Sequence, residues 1–221
     1  MLITIDGPAG AGKSTVAKLL ALALHLEYLD TGAMYRAVAF LGLRCNIPWN
    51  EPDQLTEAAR KAKIDSRFGL TFLDEDDITE AVRSVEVTQN TKYAAGNPAI
   101  REIMVNKQRE IAARIIEEGS GLVTEGRDQG TAVFPKADYK IYLTASPEER
   151  AKRRLDELKA RGENMDFDVL LEQINERDAQ DKARTVGPLC QPPDAIVLHS
   201  DSMSIHDVVA KLLSLISTRV G

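Results

Sequence analysis

The segment ITIDGPAGAGKST at residues 3–15 constrains the fold of this chain more than any other. A short apolar run leads into Gly7, and four residues later come Gly12, Lys13 and Ser14, the spacing G-x-x-x-x-G-K-[ST]. Glycines at this spacing let backbone N–H groups point inward and form an anion nest at a helix N-terminus. Lys13 would supply charge to the β- and γ-phosphates, and the Ser14 hydroxyl can hold Mg²⁺. The segment therefore predicts a nucleoside triphosphate site between a first strand and a first helix.

Apolar strand patterns alternate with helical segments along the rest of the chain. Helices are expected after the first strand, over 33–43, from near Pro98, after a capping box at 146–149, and from Ser204 with Asp207. Such alternation implies right-handed crossovers. We predict an α/β fold, a P-loop NTPase with a five-stranded parallel doubly wound sheet, whose strands cover residues 2–5, 26–29, 121–124, 139–143 and 195–198.

Two segments interrupt this alternation. Residues 46–93 open with two prolines, continue with a hairpin over 64–73 that turns near Gly69, and then an acidic turn at 74–77 leads to a helical segment. We predict an insertion beside the sheet rather than an independent domain. The second segment, 150–184, is dense in charges of both signs.

Composition narrows the classes of protein that the chain can belong to. Its 221 residues suit one compact domain with a small insertion, and the net charge of −6 argues against a nucleic-acid surface. Cys45 and Cys190 are too far apart in sequence for a metal-ligand spacing, so we expect reduced structural thiols. The sequence contains no apolar run of the roughly 18 residues that a membrane helix needs. We expect a cytoplasmic protein without a membrane segment or an export signal.

Polar motifs follow the second and third core strands, where ligands of open parallel sheets bind. In DTGAMYR at 30–36, we expect Thr31 to cap the next helix, Tyr35 to pack on a substrate and Arg36 to pair with a phosphate. In TEGRDQG at 124–130, Arg127 and Asp128 lie at a strand's carboxyl end. Both motifs predict contacts to a second phosphate, although an ordinary helix cap and a turn with an ion pair remain alternatives.

Arginines also recur at helical spacing in the segment 150–184. Arg150, Arg153 and Arg154 would share one helix face, and Arg177 and Arg184 recur with Asp181 on the next helix. Two such faces suit a lid that closes over phosphates. The nearby acidic residues make two solvated ion-pair helices an equal alternative.

The chain offers no evident general base for phosphoryl transfer. His25 and His206 are expected on helix surfaces and His199 at the end of a strand. A phosphate acceptor needs no base, because its second pKa of about 6 leaves it largely ionised at neutral pH. A nucleoside-monophosphate kinase is therefore the leading hypothesis. There are two alternatives: a kinase of a small hydroxyl metabolite, with Asp30 as base, and a regulatory NTPase with a protein partner. The guanine signature of a GTPase is missing, which argues against that class of NTPase.

Several motifs together resemble the bacterial cytidylate kinases over nearly the whole chain. They are ITIDGPAGAGKST at 3–15, LDTGAMYRA at 29–37, FLDEDDITEAVRS at 72–84, NPAIRE at 97–102, EGRDQGTAVFP at 125–135, KIYLTASPEERAKRR at 140–154 and ERDAQDKAR at 176–184. The resemblance implies transfer of the γ-phosphate of ATP to CMP or dCMP in pyrimidine nucleotide metabolism, by a monomer. It also implies that 46–93 is a monophosphate-binding insert and 150–184 a lid.

The resemblance also implies roles for particular residues. Asp128 would lie near the cytosine edge and Asp181 near the sugar, while Thr91 or Lys92 falls at the insert position that faces the base in some relatives. The catalytic residues would be Lys13, Arg127, Arg154 and Arg177, with Mg²⁺ at Ser14. ATP would contact Gly7, Pro8, Ala9, Gly10, Ala11, Gly12, Lys13, Ser14 and Thr15, and CMP would contact Thr31, Tyr35, Arg36, Arg101, Arg127, Asp128, Asp181 and Arg184.

Overall fold

Strands and helices alternate as predicted in a computed structural model of the chain, which describes residues 1–67, 69–160 and 162–220. The strands are β1 (Leu2–Asp6), β2 (Glu27–Asp30), β3 (Ile64–Arg67), β4 (Leu70–Leu73), β5 (Asp76–Asp77), β6 (Leu122–Gly126), β7 (Tyr139–Thr144) and β8 (Ile196–His199). The α-helices are α1 (Lys13–Leu24), α2 (Thr31–Arg44), α3 (Pro52–Lys61), α4 (Val85–Ala95), α5 (Pro98–Glu117), α6 (Pro147–Ala160), α7 (Phe167–Ala183) and α8 (Ile205–Val220).

Five of the strands form a parallel sheet flanked by helices, in the order β2-β6-β1-β7-β8. In its register Ile3 lies opposite Tyr139 and Asp6 opposite Tyr142. Every residue of β1 after the first is buried, including its polar ones, as expected of a strand in the interior of a parallel sheet. The predicted fold class is therefore confirmed, with strand ends displaced by one or two residues.

The helix starts follow local capping chemistry. Ser146 Oγ accepts a hydrogen bond from Glu149 N at 3.2 Å, which confirms the predicted cap of α6. At α8, Ser204 and Asp207 exchange bonds in both directions, since Asp207 N donates to Ser204 Oγ and Ser204 N donates to Asp207 Oδ2. These two caps fix where α6 and α8 begin after the strands that precede them.

The predicted hairpin over 64–73 is confirmed, and a third strand joins it. β3 and β4 are antiparallel with Ile64 opposite Leu73, and β4 then pairs with β5. The sequence predicts an acidic turn over 74–77, but only its first half is a turn. The second half, Asp76–Asp77, is the strand β5. Asp74 makes the turn in a left-handed conformation, φ 59°, and its Oδ1 accepts from Lys63 N at 3.0 Å, so the chain reverses early enough for β5 to pair. Phe68 lies outside the described residues.

The chain divides into two compact units. The first unit comprises Met1 and Leu26–Thr124, and its core includes Leu29, Met34, Leu73, Ile100 and Met104. The second unit comprises Leu2–His25 and the chain from Glu125 onward, with Ile3, Ile5, Ile141, Leu143 and Leu212 fully buried. In the described part of the chain, none of the helices has the length and apolar character that a bilayer span requires.

Candidate active site

The phosphate loop connects β1 to α1, where the sequence predicts it. Gly12 precedes the first helical residue, Lys13, and has a left-handed conformation with φ 85°. Gly7 has φ 152°, and a Cβ atom there would collide with the carbonyl oxygen of Leu143. Only glycine therefore lets the loop pass this close to β7.

Lys13 is buried beside the loop and surrounded by charged groups of the second unit. Its Nζ donates to the carbonyl oxygen of Pro8 at 2.8 Å. Burial, together with the neighbouring charge of Arg127, lowers the pKa of Lys13 to about 7; Arg177 acts in the same direction and Glu125 against it. A buried lysine with guanidinium groups close to it favours a polyanionic ligand, whose charge would offset their mutual repulsion.

Ser14 contacts a carboxylate that the sequence analysis did not single out. Its Oγ donates to Glu125 Oε1 at 2.8 Å, and Glu125 is buried at the end of β6. A hydroxyl beside a carboxylate fits Mg²⁺, which binds one or two carboxylates together with substrate phosphates. The available signal was its position, since Glu125 stands at a strand's carboxyl end two residues before Arg127.

Arg127 and Asp181 form a buried ion pair. Arg127 Nε donates to Asp181 Oδ2 at 2.6 Å, and Arg184 pairs with the other carboxylate oxygen. Burial alone would raise the pKa of Asp181, but Arg127 and Arg184 hold it below its usual range. Arg127 and Asp181 are 54 residues apart in the sequence. The structure brings them together with Arg184, as the site expected from the sequence requires.

Asp6 supports the turn that carries Arg127 and Asp128, a role missed in the sequence analysis. Its two carboxylate oxygens accept from Gln129 N at 2.8 Å and from Gly130 N at 2.7 Å. Burial raises the pKa of Asp6 to about 6, against the effect of these two hydrogen bonds. A Cβ atom on Gly130 would lie 2.9 Å from Thr4 Oγ1, so the close approach of this turn to β1 requires glycine.

The three arginines of α6 occupy different environments. Arg150 is buried and pairs with Asp178 of α7, whereas Arg153 donates to Ser200 in the second unit. Arg154 is more exposed and pairs with Glu157 at 2.8 Å. The three arginines predicted to share one helix face therefore differ in burial. Arg150 is buried, whereas Arg153 and Arg154 lie nearer the surface. On α7, Arg177 lies close enough to Lys13 and Asp181 to affect the pKa of both.

Asp30 caps α2 in the first unit, and the prediction that Thr31 does so is wrong. Asp30 Oδ1 accepts from Ala33 N at 2.8 Å, while Thr31 is the first helical residue. The reason is geometric, because Asp30 has extended backbone angles and its side chain reaches the N–H three residues on. Asp30 also pairs with Arg36 at 3.2 Å.

The other first-unit residues predicted to bind the monophosphate form a second group. The guanidinium of Arg101 lies 5.3 Å from the centre of the Tyr35 ring, and both residues are buried. At the position proposed to face the base, Thr91 Oγ1 donates to the carbonyl oxygen of Val87 in its own helix. Lys92 Nζ instead lies 5.2 Å from the Tyr93 ring.

Two of the three histidines lie at the ends of a helix and a strand, and both cysteines lie at the surface. His25 ends α1 in a left-handed conformation and His206 is exposed in the first turn of α8. His199 is the last residue of β8, as predicted. Cys45 and Cys190 are unpaired, and both are exposed.

The parallel sheet has a glycine-rich loop after β1 and a buried lysine with arginines close to it. These features define the class of P-loop kinases. A shikimate kinase from Bacteroides thetaiotaomicron has the same fold, with a TM-score of 0.50 at 15% identity over 98% of each chain. A profile of the cytidylate kinase family matches residues 3–218. The chain belongs to the cytidylate kinase family.

Curated relatives agree with this family. The cytidylate kinase of Rhodopirellula baltica is 46% identical over 98% of this chain and 92% of its own length. That of Caldanaerobacter subterraneus subsp. tengcongensis is 44% identical over 95% of this chain and 92% of its own. The chain is thus an enzyme of a kinase family that transfers phosphate from ATP to CMP.

Proposed function

We propose that the chain transfers the γ-phosphate of ATP to CMP or dCMP, giving ADP and CDP or dCDP, by charge neutralisation among Lys13, Arg127 and Arg177. The supporting observation is the burial of Lys13 beside the phosphate loop, with the guanidinium groups of Arg127 and Arg177 close enough to lower its pKa. Phosphoryl transfer depends mainly on positioning and on stabilising the charge of the transferring group. A buried lysine with two guanidinium groups close to it is suited to that task.

The donor side of the reaction belongs to the loop. We assign the ATP phosphates to the backbone N–H groups of residues 7–15 and to Lys13. Mg²⁺ would be held by the Ser14 hydroxyl beside Glu125, 2.8 Å apart, and when bound it would neutralise charge on the donor phosphates.

The acceptor side is assigned from the motifs that the chain shares with its family. We assign the monophosphate contacts to Thr31, Tyr35, Arg36, Arg101, Arg127, Asp128, Asp181 and Arg184. An ionised phosphate oxygen can attack without a base. We assign neutralisation of the transferring group to Arg154 as well as Arg177, although Arg154 also pairs with Glu157.

A hydroxyl-metabolite kinase with Asp30 as base is not favoured. The Asp30 carboxylate is engaged on one side by Ala33 N and on the other by Arg36. A base must have an oxygen available for the proton it removes. Asp30 therefore fits a structural role.

An assay of ADP release tests the proposed reaction. CMP, dCMP, UMP, AMP and shikimate would be offered separately with ATP and Mg²⁺, and Lys13→Met would serve as the inactive control. We expect turnover with CMP and dCMP and little with AMP or shikimate. Tight ATP binding without turnover on any acceptor would contradict the proposal and favour a regulatory NTPase.

We also propose an organisation and a setting for the enzyme. Residues 46–93 would be the monophosphate-binding insert and 150–184 the lid of a single kinase domain that works as a monomer. The two exposed, unpaired cysteines suit the reducing environment of the cytoplasm.

A further inference from the structure

Arg150 is unusually well buried for an arginine on a charged helix. It is 3% exposed, and each nitrogen of its guanidinium group contacts a different part of the second unit. Nε donates to the carbonyl oxygen of Ala145, after β7, at 3.0 Å, and Nη1 donates to that of Ala9 at 2.9 Å. Nη2 pairs with Asp178 Oδ2 at 2.7 Å. One side chain thus joins the phosphate loop, the end of β7 and α7.

The bond to Ala9 constrains the orientation of a peptide group in the phosphate loop. In a planar trans peptide, the C=O and the following N–H point in opposite directions. Because the Ala9 carbonyl points to Arg150, the N–H of Gly10 is turned away from it. A Cβ atom on Gly10 would lie 3.3 Å from Arg150 Cβ, so the loop also packs closely on α6.

The bond to Asp178 constrains α7. Asp178 directly follows Arg177 and stands three residues before Asp181, so its position determines how this turn of the helix is rotated. It is 8% exposed, and within the described residues its Oδ1 atom has no hydrogen-bond partner. The buried carboxylate therefore depends on Arg150 for its compensation.

We propose that Arg150 is a positioning residue, which keeps the part of α7 that carries Arg177 and Asp181 in register with the phosphate loop. The inference rests on the proposed function in that Arg177 acts on the transferring phosphoryl group. Loss of the connection would displace Arg177 from its working position, and small displacements of this kind cost about 10- to 100-fold in rate.

A double-mutant cycle on turnover tests the connection. Arg150→Met and Asp178→Asn should each lower kcat for CMP by about 10- to 100-fold. The double variant should be no slower than the slower single variant, because both changes break the same connection. Asp178→Asn should leave ATP affinity unchanged in the absence of CMP, since Asp178 does not contact the loop carbonyl. The proposal would be overturned if the fold-loss of kcat in the double variant equalled the product of the two single fold-losses. A wild-type kcat in either single variant would overturn it as well.

A matched control separates positioning from general stability. Arg114 pairs with Asp65 at 2.8 Å in the first unit, so Arg114→Met removes an arginine–aspartate pair, although a more exposed one, without touching the loop or α7. It should lower the melting temperature and keep kcat. Equal loss of kcat in Arg114→Met and Arg150→Met would attribute the effect to stability and reject the proposal.

Two further variants complete the test. If Arg150→Met does not fold, Arg150→Lys retains the charge beside Asp178, but its single nitrogen cannot replace three separately placed donors. We expect a folded protein with reduced kcat, and unchanged kcat would overturn the inference. Arg177→Met, measured in parallel, tests the proposed function on its own, because a normal kcat in this variant would reject the role of Arg177. A reduced kcat in Arg177→Met together with a normal kcat in Arg150→Met would reject only the positioning role.

Discussion

At the residue scale, the charge of Arg127 acts on two other groups of the candidate site. It pairs with Asp181 and also lies near Lys13. We predict that Arg127→Met lowers kcat/KM for CMP by about 100-fold or more, because a preorganised cation at a developing charge is worth several kcal/mol. Circular dichroism should show an intact fold, since Arg184 still pairs with Asp181. Normal kinetics in the ADP-release assay would remove Arg127 from the mechanism.

Asp6 makes stability depend on pH in a direction opposite to that of most carboxylates. Its pKa of about 6 exceeds the ordinary value of 3.8, so between these values the native state holds a proton that the unfolded state has released. The free energy of unfolding therefore decreases as pH rises through this window, by ~3 kcal/mol for a shift of this size. In Asp6→Asn this contribution should disappear.

Urea denaturation between pH 4 and pH 7 measures this effect. The difference in unfolding free energy, wild type minus Asp6→Asn, should decrease as pH rises, while Asp65 and Asp181 contribute equally to both proteins. Parallel stability curves would show that Asp6 does not titrate in this range.

The positions of candidate site residues were predictable from the sequence where a motif defines them. Lys13 and Ser14 follow from the loop spacing, and Arg127 from its place after a strand. Glu125 and Asp6 were not identified as partners of the site, and Arg150 was expected on a lid face rather than buried against the phosphate loop. These placements depend on which residues the fold brings beside them. Asp6 acts through backbone groups 123 and 124 residues away, a separation that no local pattern contains.

At the element scale, the start of α2 can be tested through Asp30. Asp30→Ala removes both the cap and the pairing with Arg36, and we predict a loss of about 1–2 kcal/mol in unfolding free energy. Asp30→Asn keeps an oxygen that can accept from Ala33 N, so it should be more stable than Asp30→Ala and retain most CMP turnover. Complete loss of turnover in a stable Asp30→Asn protein would instead support a base at this position.

Elements were predictable where periodicity and caps agree. The strands of the large sheet, α5 and α6 all lie where apolar patterns and capping residues place them. The cap of α2 was assigned one residue too late, since Asp30 and Thr31 are both good capping residues and only the backbone angles distinguish them. β5 was missed because its two aspartates have low strand propensity, and its pairing with β4 depends on the left-handed turn at Asp74.

At the scale of the whole molecule, the proposed monomer can be tested directly. Sedimentation equilibrium of the full chain should give a single species of 24.3 kDa at micromolar concentration. The measurement should be repeated with ATP and CMP, because a ligand can shift an association equilibrium. A mass near twice this value under either condition would contradict the proposal.

The two cysteines also have a practical consequence. Cys45 belongs to the first unit and Cys190 to the second, both thiols are exposed, and the chain contains no others. Maleimide dyes could therefore be attached to the native sequence, one to each unit, without engineered mutations. Energy transfer between the dyes would then record the separation of the units in single molecules, before nucleotide is added and during turnover.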